Sequence, residues 1–169
     1  MKKFISILSV AFLATVLFNA CGGNGPTTDD GVLINGVKWA TRNVGSAGTF
    51  VKSPQDFGNY YTWEEAKTAC PSGWRLPTYT ELQGLDTGIW KTNGREFGTA
   101  PNTIFLPAAG IRDSYDGLLH LEGEYGSYWS STQNEDDELY AYRLYFDSSY
   151  AGWDTHEKGN GYSVRCVKE

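Results

Sequence analysis

The apolar positions of this chain fall into three regimes. From Phe4 to Phe18 they run almost without interruption, from Gly22 to Gly31 they are missing, and from Val32 onward they recur in short groups separated by glycine, asparagine, aspartate and proline. An apolar run of fifteen residues has the length of a secretory leader and is short for a bilayer span. The polar gap, with nothing to offer a core, reads as a flexible tether. The remainder predicts many short strands joined by tight turns.

The clearest element is a hairpin: Val32-Leu33-Ile34 and Val37-Lys38-Trp39-Ala40 flank Asn35-Gly36, two residues that tolerate the positive φ of a tight hairpin turn. Two helices are predicted from their first turns. Thr62-Trp63-Glu64-Glu65 and Thr78-Tyr79-Thr80-Glu81 each place a hydroxyl three residues before a carboxylate, so that each side chain satisfies a backbone donor of the other's turn. Trp63, Ala66 and Cys70 then share a face of the first helix, which Pro71 and Gly73 end, and Leu82 and Leu85 form the stripe of the second. After about Ile104 the pattern reads as strands and loops. Leu139 to Asp147 alternates, which assigns Tyr140, Tyr142, Leu144 and Phe146 to the core and Ala141, Arg143, Tyr145 and Asp147 to solvent. Tyr162, Val164 and Cys166 form another inward set on a C-terminal strand.

Composition sharpens this picture. Aromatics make up 15% of the residues, there are 20 glycines and one methionine, as suits short strands and turns. Met1-Lys2-Lys3 before the apolar run and Asn19-Ala20-Cys21 after it predict a lipoprotein signal peptide, residues 1–20, with Cys21 lipidated at the mature N-terminus. Ordinary secretion with an unmodified Cys21 is the alternative. Loss of Lys2 and Lys3 with the leader leaves 12 basic against 20 acidic residues, a net charge of −8. Nucleic acid and anionic lipid are therefore unfavourable direct ligands, and the lipid anchor is the expected membrane contact. Residues 21–31 read as the tether and 32–169 as one domain. In an exported chain Cys70 and Cys166 are expected as a disulfide rather than as two buried thiols, tying the first helix to the last strand.

The motifs YTWEEA (61–66), CPSGWRLPT (70–78), LPAAGIR (106–112), YWSST (128–132) and GYSVRCV (161–167) occur in this order. Together they resemble the Fibrobacter succinogenes major paralogous domain, a family largely of exported lipoproteins of Bacteroidetes and Fibrobacteres, across essentially all of residues 32–169. The resemblance implies a C-type lectin-like fold of class α+β, with two short helices beside a twisted antiparallel sheet and a long loop region that presents ligands. It does not imply sugar binding.

Calcium-dependent lectins of this fold hold the ion with Glu-Pro-Asn or Gln-Pro-Asp and Trp-Asn-Asp motifs. Neither occurs here, where Ser130-Ser131 follows Trp129. The run Glu135-Asp136-Asp137-Glu138 is the place a calcium ion would take, but consecutive loop acids are usually solvated, and no cofactor or metal is expected. The formylglycine-generating enzymes of the same fold depend on cysteines already assigned here. Hydrolysis would need His120, in an apolar run, or His156, in a polar loop, beside a nucleophile, and no enzyme is expected.

The stretch between YWSST and GYSVRCV is rich in tyrosine, serine, aspartate, asparagine and glycine, which paratopes use for rigid contact and adaptable hydrogen bonding. It also resembles the variable region of lipoproteins diversified by retroelements. Arg143, Tyr145, Asp147, Tyr150, Trp153, Asp154 and His156 are the candidate ligand-binding residues, for a protein or carbohydrate partner. The expectation is a surface-displayed outer-membrane lipoprotein that binds an extracellular ligand, the alternative being a structural or adhesive subunit of an envelope assembly.

Overall fold

The hairpin forms where the Asn-Gly pair predicts it. In a computed structural model of the chain, which describes residues 25–169, β1 (Val32–Ile34) pairs antiparallel with β2 (Val37–Trp39). Asn35 and Gly36 both take positive φ at the turn, 48° and 83°. The leader and Cys21 lie outside the described residues. Helix α1 (Trp63–Ala66) follows, then β3 (Trp74–Arg75) and helix α2 (Tyr79–Gln83). The Glu65 and Glu81 carboxylates accept from the Thr62 and Thr78 backbone N–H groups at 2.9 and 2.7 Å, as the paired caps require. Helix α1 stops at Ala66 rather than reaching Cys70; the chain leaves it in turns while Ala69 stays in the core.

Strands dominate the rest. An antiparallel set β4 (Ile89–Lys91), β5 (Gly94–Thr99) and β6 (Asn102–Pro107) begins ahead of the strand region expected from the sequence. A small pair, β7 (Ile111–Arg112) and β8 (Leu119–His120), is followed by β9 (Gly126–Gln133), β10 (Tyr140–Phe146), β11 (Ala151–Glu157) and β12 (Val167–Lys168). They assemble into four small sheets, β1-β2-β12-β3, β11-β10-β9, β4-β5-β6 and β7-β8, so the described residues are mainly strand with two one-turn helices.

Sheet β11-β10-β9 is the middle layer. Trp129 and Ala141 join one core cluster with Trp63, Tyr162 and Val164, while their neighbours Tyr128, Leu144 and Phe146 join a second with Leu82, Leu85 and Phe97. Both faces are covered, so alternation along β10 separates two cores rather than core from solvent. Ala141 and Arg143, expected outside, are buried, and Tyr140 and Tyr142, expected inside, are half-buried; Tyr142 stacks under Tyr79 of α2 at 4.1 Å.

The C-terminal segment passes between the layers. Every residue from Asn160 to Val167 is buried. The inward set Tyr162, Val164 and Cys166 lies in extended chain held by isolated bridges, not in a regular strand, and the intervening Ser163 and Arg165 are buried too. Cys70 and Cys166 form the disulfide. At the other end, part of the segment read as tether lies against the domain. Pro26 O accepts from the Phe50 N–H at 2.7 Å, and the fully buried Asp29 carboxylate accepts from Gly31, Thr41 and Arg42. Those hydrogen bonds outweigh burial and hold the Asp29 carboxyl below its ordinary pKa.

The disulfide closes a loop across 96 residues. Replacing both cysteines by serine is expected to lower the unfolding free energy by about 4 kcal/mol by the chain-entropy account, read from urea unfolding. A change under about 1 kcal/mol shows that the buried C-terminal segment alone holds the two ends together.

Candidate functional site

One row of the middle sheet begins in the core and runs out to the surface. In register, Ala141 lies opposite His156, Arg143 opposite Asp154 and Trp129, and Tyr145 opposite Gly152 and Ser127. Side chains of one face alternate with those of the other along each strand, so Arg143, Tyr145, Asp154 and His156 share this face. Trp153, opposite Leu144, points to the other and packs on the second core cluster, with its indole N–H buried and unpartnered. The seven candidate binding residues are therefore not one surface.

Arg143 is the anchor of the site rather than an exposed contact. Its Nε donates to Asp154 Oδ1 at 2.8 Å and its Nη1 to Ser127 Oγ and Tyr162 Oη, each at 3.1 Å. The rings of Tyr145, Tyr162 and Tyr125 surround the guanidinium, with centroids 5.3, 5.3 and 5.9 Å from Cζ. Burial works against this charge, but the Asp154 hydrogen bonds and the phenols more than offset it, so the pKa lies above the ordinary arginine value. Tyr162 passes the polarity on: its hydroxyl accepts from Arg143 and donates to His156 Nδ1 at 2.7 Å, where Asn160 Nδ2 also donates at 3.1 Å. Two donors on Nδ1 require the neutral imidazole protonated at Nε2. Burial, then the Arg143 charge, hold the His156 pKa below its ordinary value, while Asp154, Glu157 and Asp113 pull it upward.

Above the buried arginine the surface is tyrosine. Tyr125, immediately before β9, stacks on Tyr145 at 6.1 Å and 18°, and Tyr145 meets Tyr150 at 5.8 Å. Tyr150 lies over Gly152, where a Cβ would fall 2.5 Å from its ring, so this glycine leaves the space in which the row closes. Tyr150 is 56% exposed and the Asp154 side chain 42%, with Tyr125 and Tyr145 half-buried beside them. Burial, with Asp154 nearby, pushes the Tyr125 hydroxyl up to about 12, so it remains a donor at neutral pH. Asp147 shapes the β10–β11 turn: its Oδ1 accepts from the Ser149 N–H, the Ser149 hydroxyl and the Tyr150 N–H.

Three members of the cluster, Tyr125, Ser127 and Tyr162, were not among the binding candidates read from the sequence, which placed Tyr162 only as an inward position. Ser127 and Tyr162 meet Arg143 only through strand pairing and the return of the C-terminal segment. Tyr125 precedes the YWSST motif, and nothing local marks it. Of the other chemistry considered, His120 Nε2 lies 3.0 Å from Asp116 on the exposed β7–β8 hairpin. The acids Glu135 to Glu138 are exposed on the loop before β10.

Because the fold favours neutral His156, its contribution to stability is fully present above the unfolded value of about 6.5 and is lost as pH falls through 6.5 toward the lower folded value. Thermal unfolding is expected to show Tm declining below about pH 6.5, with the decline reduced in His156→Gln, which keeps an acceptor and removes the titration. An unchanged slope in the variant assigns the acid sensitivity elsewhere.

No curated protein and no solved structure matches this chain. A family model described as the Lcl C-terminal domain matches residues 33–168, nearly the whole of the described domain and all five ordered motifs. The chain belongs to the Lcl C-terminal domain family.

Proposed function

We propose that this chain is a lipoprotein of the cell envelope that binds an extracellular protein or glycan, without catalysis, through the row Tyr125, Tyr145 and Tyr150 and the adjoining Asp154. The observation that carries this reading is the row itself: three phenols in contact, one pair stacked and the next tilted, partly open to solvent and fixed from beneath by a buried, ion-paired arginine. Tyrosines held in this way offer large contact area at little entropic cost, and the neighbouring carboxylate gives direction. Support for export comes from the leader pattern of residues 1–20 and from the disulfide, which belongs to an oxidising compartment. In this reading Cys21 carries lipid and anchors the domain to the outer membrane, facing outward.

The finer fold type we infer is C-type lectin-like, of the kind found in the Fibrobacter succinogenes major paralogous domain. Two helices beside antiparallel strands, and a disulfide from the exit of α1 to the last segment, favour it. No enzyme activity and no cofactor are part of the proposal. In its support, His156 is engaged by Tyr162 and Asn160 and His120 by Asp116, and neither is bonded to a serine hydroxyl among the described residues.

A second reading, a structural or adhesive subunit, draws on the β7–β8 hairpin, where Tyr115 (99% exposed) and Leu118 at the tip and Leu121 just past β8 stand in solvent. Concentration-dependent self-association lost in Leu118→Ser would favour it.

The test is a glycan-array and extracellular-protein screen of the full chain, with and without calcium, beside Tyr145→Ala, Tyr150→Ala and Gly152→Ala. The last displaces Tyr150 without deleting it, since only the far end of that side chain must move. Each variant is expected to weaken a genuine hit by about tenfold or more. A hit unaffected by all three rules out the tyrosine row as the binding surface.

A further inference from the structure

At the opposite end of the same sheet, away from the β10–β11 turn, lies a groove of about 510 Å³ between α1, the loop before β10 and the end of β11. Its walls are joined by backbone hydrogen bonds. Lys158 N–H donates to Leu139 O and Trp63 N–H to Lys158 O, each at 3.0 Å, so the groove exists before any ligand arrives. Leu139 and Tyr140 supply apolar surface, with Leu139 68% exposed although it sits on an ordered turn: its N–H donates to Asp137 Oδ1 at 3.0 Å. With Tyr140 beside it, this side chain gives the rim of the groove an apolar surface.

The charges around this floor are one-sided. Glu64, Glu138 and Glu157 line the groove. Glu64 is neutralised by Lys67 at 2.7 Å. The one lining cation, Lys158, is held against the Trp63 ring, its Nζ 4.2 Å from the centroid and donating to Gln133 Oε1 at 2.8 Å, and it makes no ion pair among the described residues. Glu138 and Glu157 make no ion pair among the described residues. Two uncompensated carboxylates beside an exposed leucine repel acidic ligands. Covering them costs desolvation, which a cation offsets more fully than a neutral donor does.

We propose that this groove is a second binding site, for an extended segment of a partner protein that carries a lysine or arginine next to an apolar residue. The apolar side chain lies on Leu139 and Tyr140, and the cation reaches Glu138 and Glu157. The volume suits two or three side chains rather than a folded surface. This site shares no residue with the tyrosine row and stands or falls independently of it.

The experiment applies the full chain to an array of nine-residue peptides, each carrying one lysine or arginine between apolar neighbours and each paired with its glutamine counterpart. The strongest peptide is then titrated by fluorescence anisotropy. Binding is expected to favour the basic member of each pair, to weaken with added salt, and to fall about tenfold in the double variant Glu138→Gln, Glu157→Gln. Leu139→Ser, at an exposed position, is expected to weaken binding with unchanged unfolding, and Tyr145→Ala to leave it intact. Equal binding of glutamine peptides, equal binding by the double variant, or no saturable binding on the array overturns the proposal.

Discussion

A guanidinium with no carboxylate ion pair among the described residues stands at the junction of the sheets. Arg165 is fully buried and donates at 3.0 Å to each of three neutral oxygens, Asn43 Oδ1, Ala40 O and Phe105 O. Burial lowers its pKa to about 10, still well above neutrality, so the domain is built around a permanent internal charge. The three oxygens come from the segment after β2 and from β6, and Asn43 in turn donates to Phe57 O and to the Tyr128 hydroxyl. A buried charge is tolerated only when its donors are met, and a network that is only partly satisfied is worse than an apolar core. The position of four distant stretches of chain is thus tied to one side chain near the C-terminus.

The arginine can sit there because the backbone around it is equally committed. Val44 and Ala40 donate to the carbonyls of Val164 and Cys166, Tyr61 exchanges hydrogen bonds with Tyr162, and Cys166 is covalently joined to Cys70. With so many partners drawn from so far along the chain, the last residues act as the central pin of a domain whose individual sheets are too small to be stable alone. Contacts of long sequence separation dominate, which favours slow folding over fast.

Arg143 repeats the arrangement of Arg165 with a different outcome. It too is buried, but its row of the sheet leads outward, and it is paired with a carboxylate that remains 42% exposed. One arginine fixes the interior, and the other fixes a patch of tyrosines at the surface. The patch is rigid because its support belongs to the middle layer, whose two faces both carry core. The groove at the other end of the sheet inherits rigidity from the same source, through the hydrogen bonds that join α1, the end of β11 and the loop before β10.

The local chemistry of the chain was legible in its sequence: the Asn35-Gly36 turn, the caps at Thr62 and Thr78, the bonding of Cys70 to Cys166 and the family motifs rest on neighbouring residues or on composition. What misled was alternation. A strand with one covered face and a strand between two cores show the same period, so Arg143 and Ala141 read as exposed until the second layer is in place. Alternation along β11, which the sequence did not reveal as a strand, turned Trp153 away from Asp154, and the register of β9 with β10 brought Ser127 to Arg143. The acceptors that allow Arg165 to be buried lie 60 to 125 residues away, beyond the reach of any pattern in the sequence. Composition likewise made residues 21–31 a tether, whereas the Asp29 carboxylate within it finds donors that exist only once Thr41 and Arg42 are folded beside it. Sequence determined the first hairpin, the starts of both helices and the pairing of Cys70 with Cys166, because those depend on near neighbours or on composition. Which polar groups lie inside, and which surface they hold open, depended on partners that only the tertiary fold supplies.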